Sequence, residues 1–128
     1  MLTDNKTFRN TLLCFENAVR ELAVGEGDLK SRIVKAARKI FRVKREDLPI
    51  DELRGDYAWI NEQFTCKEPI RDDKENVISG QLEESLCVAS ITTMQEIAIQ
   101  IVAIRDRLID LQMAELKEKI EKPKMRKS

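Results

Sequence analysis

Histidine is absent from the 128-residue chain. Without an imidazole there is no Ser-His-Asp or Cys-His nucleophilic site, no histidine ligand for zinc or haem, and no histidine pH switch. Cysteine is scarce as well. Cys14, Cys66 and Cys87 stand far apart with no CxxC pair, so neither a disulfide framework nor a four-cysteine zinc site fits within one chain. Four glycines and three prolines, with 42% apolar and 36% charged residues, exclude collagen-like, low-complexity and wholly disordered chains. The strongest apolar run, Ile97 to Ile104, is broken by Gln100 and falls far short of the roughly 20 residues of a membrane span. Met1 to Thr7 has neither the basic start nor the apolar stretch of a secretory signal. The expectation is a cytoplasmic protein that neither spans a membrane nor is exported by that route.

What is present is charge, unevenly placed. Lysine plus arginine equal aspartate plus glutamate at 23 each. Yet Asp28 to Arg45 holds eight bases against one acid, Glu46 to Glu84 twelve acids against four bases, and Lys117 to Ser128 six bases against two acids. The overall cationic field of a dedicated nucleic-acid binder is missing, while local basic surfaces remain.

Apolar spacing supplies the fold class. Phe8, Leu12, Phe15, Val19 and Leu22 recur at intervals of four and three and predict a helix over about 5–24, with Thr3 or Asp4 as its cap and Gly25 as a left-handed stop. After the turn Gly25 to Asp28, a second helix places Leu29, Ile33, Ala36, Ala37 and Ile40 on one face. Arg32, Lys35, Arg38, Lys39 and Arg42 fall within about 120° on the opposite side, and Phe41 sits at the margin. A third helix is expected from near Pro49, carrying Leu53, Tyr57, Ile60 and Phe64. Thr65 to Asp73 reads as the longest loop.

From about Lys74 to Glu121 both segments read as helical. Ile78, Leu82, Leu86 and Ala89 form one stripe, and Met94, Ile97, Ile101, Ile104, Leu108 and Leu111 form a seam of coiled-coil type. Ser90 to Thr93 is the weakest point, where one long helix or two nearly continuous ones both fit. Past Leu111 the apolar positions move to Ile109, Met113, Leu116 and Ile120. No strand pattern of useful length and no repeat is visible. The expected fold is all-α, a compact bundle of four to five helices with a long C-terminal helix. Residues 1–122 form its single domain and 123–128 a flexible basic tail.

Candidate chemistry is sparse. Gly25-x-Gly27 has Lys30 in place of the third glycine of a dinucleotide loop and no strand before it. Ser31 and Lys35 share a helical turn, but a Ser-Lys nucleophile needs its amine in a desolvated pocket and Lys35 falls in the sector facing water. Glu115, Glu118 and Glu121 alternate with lysines and have no histidine partner, which suits a solvated face better than a metal site. Asp72 to Asn76 lacks the glycine and distal glutamate of a calcium loop and reads as a helix start. A helix-turn-helix alignment on Ala36 puts Ile40 where the turn glycine belongs and Pro49 inside the second helix, a poor match.

The resulting expectation is a non-enzymatic interaction or regulatory module with no cofactor and no metal. It binds a protein partner, acidic in character, through Arg32, Lys35, Arg38, Lys39 and Arg42, with Trp59 as an aromatic anchor if it is not packed under the Thr65 to Asp73 loop. The alternative is a nucleic-acid-binding regulator using the same bases and the tail on phosphates. Ile104, Leu108, Leu111 and Leu116 are the expected contacts of a homodimer, because the long seam outruns the roughly 30 Å of the first helix.

Overall fold

The computed structural model of the chain describes Thr3, residues 5–74 and residues 77–126, with backbone only at 77–79 and 121–126. The first helix, α1 (Lys6–Val24), starts one residue later than the candidate caps: the Asn5 side chain accepts from the Phe8 amide at 2.7 Å. Thr3 is buried against Glu115, and Asp4 lies outside the described residues. Gly25 does end the helix, but with extended backbone rather than a left-handed one. Its glycine character serves a close approach, since a Cβ there would lie 2.3 Å from the Glu21 carbonyl oxygen. The left-handed residue of the turn is Gly27, at φ 97°. Asp28 then caps α2 (Leu29–Ile40) by accepting from the Ser31 amide at 2.8 Å. This bond holds the Asp28 carboxyl below its ordinary range.

A 3-10 turn at Arg45–Asp47 links α2 to α3 (Asp51–Thr65), two residues beyond Pro49. Arg54 of α3 reaches back to the Leu48 carbonyl at 2.9 Å and so fixes the buried Leu48 against the bundle. The following segment departs from the expected helix. Ile70–Arg71 (β1) and Val77–Ser79 (β2) form a small antiparallel ribbon, and Lys74 donates its amide to Asp72 inside the turn. Glu75 and Asn76 of the expected helix start lie outside the described residues. The helix expected from Lys74 instead begins after Gly80, as α4 (Gln81–Cys87). It stops before Val88, and α5 (Ile91–Arg126) restarts under a cap in which Ser90 Oγ accepts from the Thr93 amide at 3.1 Å. Two helices are therefore present, broken one step before the β-branched cluster. The backbone of α5 continues helical through Pro123 to Arg126, so helix replaces the first four residues of the expected flexible tail. A proline removes one hydrogen bond from a helix without having to end it.

These helices make an all-α compact bundle in which α1, α2 and α3 pack on the first half of α5 and α4 packs on α3. The core takes one stripe from each long helix: Phe8, Leu12, Phe15 and Leu22; Ile33, Ala36, Ala37 and Ile40; Leu53, Tyr57, Ile60 and Phe64; Ile97, Ile101, Ile104 and Leu108. At 1.5 Å per residue, the 36 residues of α5 span roughly 54 Å against about 29 Å for α1. Burial follows the body and stops with it: Leu108 is fully buried, Leu111 half-buried, and Met113, Leu116 and Ile120 are exposed. Ile104 and Leu108 thus belong to the intramolecular core, which corrects their expected place in a homodimer contact. A fully covered side chain has no surface to offer a second chain. No helix among the described residues is long and apolar enough to cross a membrane.

The same chemical change should therefore cost very different amounts along one helix. Leu108→Ala is expected to lower unfolding free energy by about 2–5 kcal/mol, through lost burial and a cavity. Leu116→Ala, measured at low protein concentration, should change it by less than about 0.5 kcal/mol. Urea denaturation of the two variants checks this.

Candidate partner-binding surface

The end of α2 is the best-defined feature of the surface. A helix leaves its last carbonyls without helical partners, and here a buried phenol meets them. The Tyr57 hydroxyl lies 2.8 Å from the Ile40 carbonyl and 2.6 Å from that of Val43. The Tyr57 ring stands edge-on to Phe15, with centroids 5.8 Å apart. Burial pushes the Tyr57 pKa up to about 12, a contact with Asn61 pulling the other way. The hydroxyl therefore stays protonated as a donor throughout the physiological range.

This anchoring turns the chain at residues 41–43 so that Val43 is buried and Phe41 stands 83% exposed. Beside Phe41 opens a groove of about 540 Å³ between the end of α2, the outer face of α3 and the start of α4. Ile40, Val43, Tyr57, Phe64 and Leu82 give it an apolar floor, and Asn61, Thr65 and Gln81 supply uncharged polar groups. The α4 wall is held by the Gln81 amide on the Thr65 carbonyl at 3.2 Å and by buried Ser85, whose Oγ accepts from the Lys67 amide at 3.0 Å. Arg38 and Glu83 close one edge with an ion pair at 3.0 Å.

The five bases Arg32, Lys35, Arg38, Lys39 and Arg42, the last just past the end of α2, do not form one free cationic face. Arg32 is half-buried and structural: its guanidinium donates to the Leu22 carbonyl at 2.9 Å and thereby serves the end of α1. Arg38 is paired with Glu83. Lys35, Lys39 and Arg42 are exposed and form no ion pair among the described residues. The sector expected to be wholly outward is thus divided between packing and solvent, because long side chains can reach back over a helix end. Acids of α4 account for part of this. Glu83 holds Arg38, Glu84 adds an attractive charge near Lys30, and Lys30 Nζ lies 2.9 Å from the Cys87 sulfur, which raises the pKa of the lysine.

Trp59 is half-buried and packs against the core on the side facing α5, lining a small cleft with Asp56, Glu96 and Gln100. It lies neither under the Thr65 to Asp73 segment nor beside the α2 bases, so it does not join them in one surface. Leu111 and Leu116 sit on the far part of α5, away from the groove. Glu115, expected on a solvated face, is half-buried and accepts from the Thr3 amide at 2.8 Å and from its hydroxyl. Cys14, Cys66 and Cys87 are all free; burial raises the Cys14 thiol, with Arg42 partly offsetting it. Among the described residues no group of three potential metal ligands converges.

Sequence reasoning missed the groove and the role of Phe41. The available signal was the position of Phe41 one residue past Ile40, about 100° off the core stripe. The α3 and α4 walls are tertiary and leave no local mark. No protein-family model, curated protein or solved structure matches the chain.

Tyr57→Phe should cost about 1–2 kcal/mol at neutral pH, since the one hydroxyl proton shared by the two carbonyls is lost, the Ile40 carbonyl keeping only the Val43 amide at 3.0 Å. The raised pKa fixes the sign at high pH. The stabilisation is complete below the ordinary tyrosine value near 10 and is lost as pH rises towards about 12. The stability advantage of the unmodified protein over Tyr57→Phe should accordingly shrink between those values, which denaturant titrations at several pH settings measure.

Proposed function

We propose that the protein is a non-enzymatic interaction module of the cytoplasm. Its groove between α2, α3 and α4 receives an amphipathic helix of a partner protein. The observation that carries this reading is Phe41: an 83% exposed aromatic ring at the lip of an apolar groove of about 540 Å³. Exposed aromatics beside preformed apolar clefts are the usual anchors of helix-in-groove recognition. Lys39 and Arg42 flank Phe41 in sequence and are exposed, which favours a partner helix with acidic residues bordering its apolar stripe. The free thiols fit a reducing compartment. Self-association through the projecting end of α5 belongs to the same reading, with Leu116 retained from the expected contacts and Leu111, half-buried against the core, left out of them.

A nucleic-acid reading has less to work with. With Arg32, Arg38 and Lys30 engaged internally, Lys35 and Lys39 of α2 and Arg42 just past its end remain for phosphates, too few for strong salt-dependent binding without help from the tail.

Tagged protein purified with and without nuclease tests the reading. The expected result is a partner that survives nuclease and is lost with Phe41→Asp, while the melting temperature stays within a few degrees, as suits an exposed position. Lys35→Glu with Arg42→Glu should weaken the same complex. A bound partner unaffected by Phe41→Asp would overturn the groove assignment, and co-purifying nucleic acid lost on nuclease would favour the alternative.

A further inference from the structure

The core stripe of α5 ends at Leu108, but a second stripe runs on. Ile109, Met113, Leu116 and Ile120 are spaced four, three and four residues apart. They lie on one side of the helix, about 110° from the buried face. Ile109 is half-buried against the body, and beyond it the stripe is open, with Met113 57%, Leu116 49% and Ile120 61% exposed. A stripe of this spacing is a coiled-coil seam, with Ile109 and Leu116 at d positions and Met113 and Ile120 at a positions. Asp110 and Lys117 then take the two e positions, and both are exposed.

We propose that this seam pairs with the same seam of a second copy in antiparallel register, the two-fold axis passing between Met113 and Leu116. The inference rests on the self-association proposed above and specifies its geometry. Antiparallel pairing sets Met113 against the partner's Leu116 and Ile109 against the partner's Ile120, and each layer occurs twice. In that arrangement e positions face e positions across the seam, so Asp110 meets the partner's Lys117 on both sides of the axis. Within one chain these two residues are seven apart, beyond the i,i+4 reach of a helix pair. Their opposite charges are therefore complementary between copies and not within one. The antiparallel register also brings each Ile120 to the half-covered Ile109 at the edge of the other body, so the new contact continues an existing packed surface. About 18 Å of seam is short, and the pairing is weak and concentration-dependent rather than obligate.

Sedimentation of the full chain over a concentration series, with charge-swapped variants, tests this. The unmodified protein should shift reversibly from monomer to dimer, and Met113→Lys should leave a folded monomer. Asp110→Lys alone and Lys117→Asp alone should each weaken dimerisation about tenfold. The double variant should restore it, and the two single variants mixed together should form a heterodimer. A protein monomeric even at millimolar concentration, or a dimer unchanged by Met113→Lys, overturns self-association through this seam altogether. A dimer lost with Met113→Lys but not rescued in the double swap leaves the self-association standing and overturns the antiparallel register.

Discussion

The carbonyls of Ile40, at the end of α2, and of Val43, just beyond it, lie in the interior of the bundle, where Ile40 receives the Val43 amide and both face the Tyr57 hydroxyl. Much of the molecule is organised around this one phenol. Because Tyr57 also packs its ring on Phe15, a single side chain of α3 ties the end of α2 to α1 and sets the spacing of all three helices. A tight turn follows, so of two consecutive apolar features one, Val43, goes in, and the other, Phe41, is left out. The groove is the space that this turn leaves between α2 and the later helix α4. Groove and core thus share one residue, and the shape of the groove is a consequence of how a helix is terminated.

The electrostatics follow the same economy. A chain with equal numbers of acids and bases arranged in blocks satisfies part of that imbalance internally. Glu83 of the acidic block reaches Arg38 of the basic one, and Glu84 stands near Lys30. Exposed pairs of this kind contribute little to stability, typically below about 1 kcal/mol. Their effect lies in which cations remain available. Lys35, Lys39 and Arg42 stay exposed and form no ion pair among the described residues, while Arg32 has become part of the join between α1 and α2.

The helices were legible because their signal is local. Four-three spacing in α1, α2, α3 and α5 picks out the residues that the bundle buries, from Phe8 to Leu108, with Val19, Leu29 and Met94 only half covered. The stretch from Lys74 to Ser90 misled for a physical reason: Ile78, Leu82 and Leu86 satisfy a helical period. Gly80 nonetheless stands between a β-ribbon strand and α4, and the two strands of that ribbon, of two and three residues, are too short to show an alternating pattern. In the first turn Gly25 was expected to be the left-handed residue, and that conformation falls two positions later, on Gly27. A close approach to the Glu21 oxygen is invisible to sequence, whereas a positive φ is merely expected of any glycine. The surface was legible only in part. A helical wheel gives the direction of a Cβ atom, not the reach of an arginine, which is why Arg32 read as solvated. It marked Phe41 as marginal without showing that α3 and α4 would build a groove beside it.

Thr3 rests on Glu115, 112 positions later, and the apolar stripe of α1 is covered by the same late helix. During synthesis at about 5–20 residues per second, the 84 positions between Val24 and Leu108 take roughly 4–17 s. For that interval Phe8, Leu12, Phe15 and Leu22 have left the ribosome without the helix that shields them. Over that interval α1 has only α2 and then α3 to pack against, so the core closes late, when α5 arrives to cover the stripes that the earlier helices leave open.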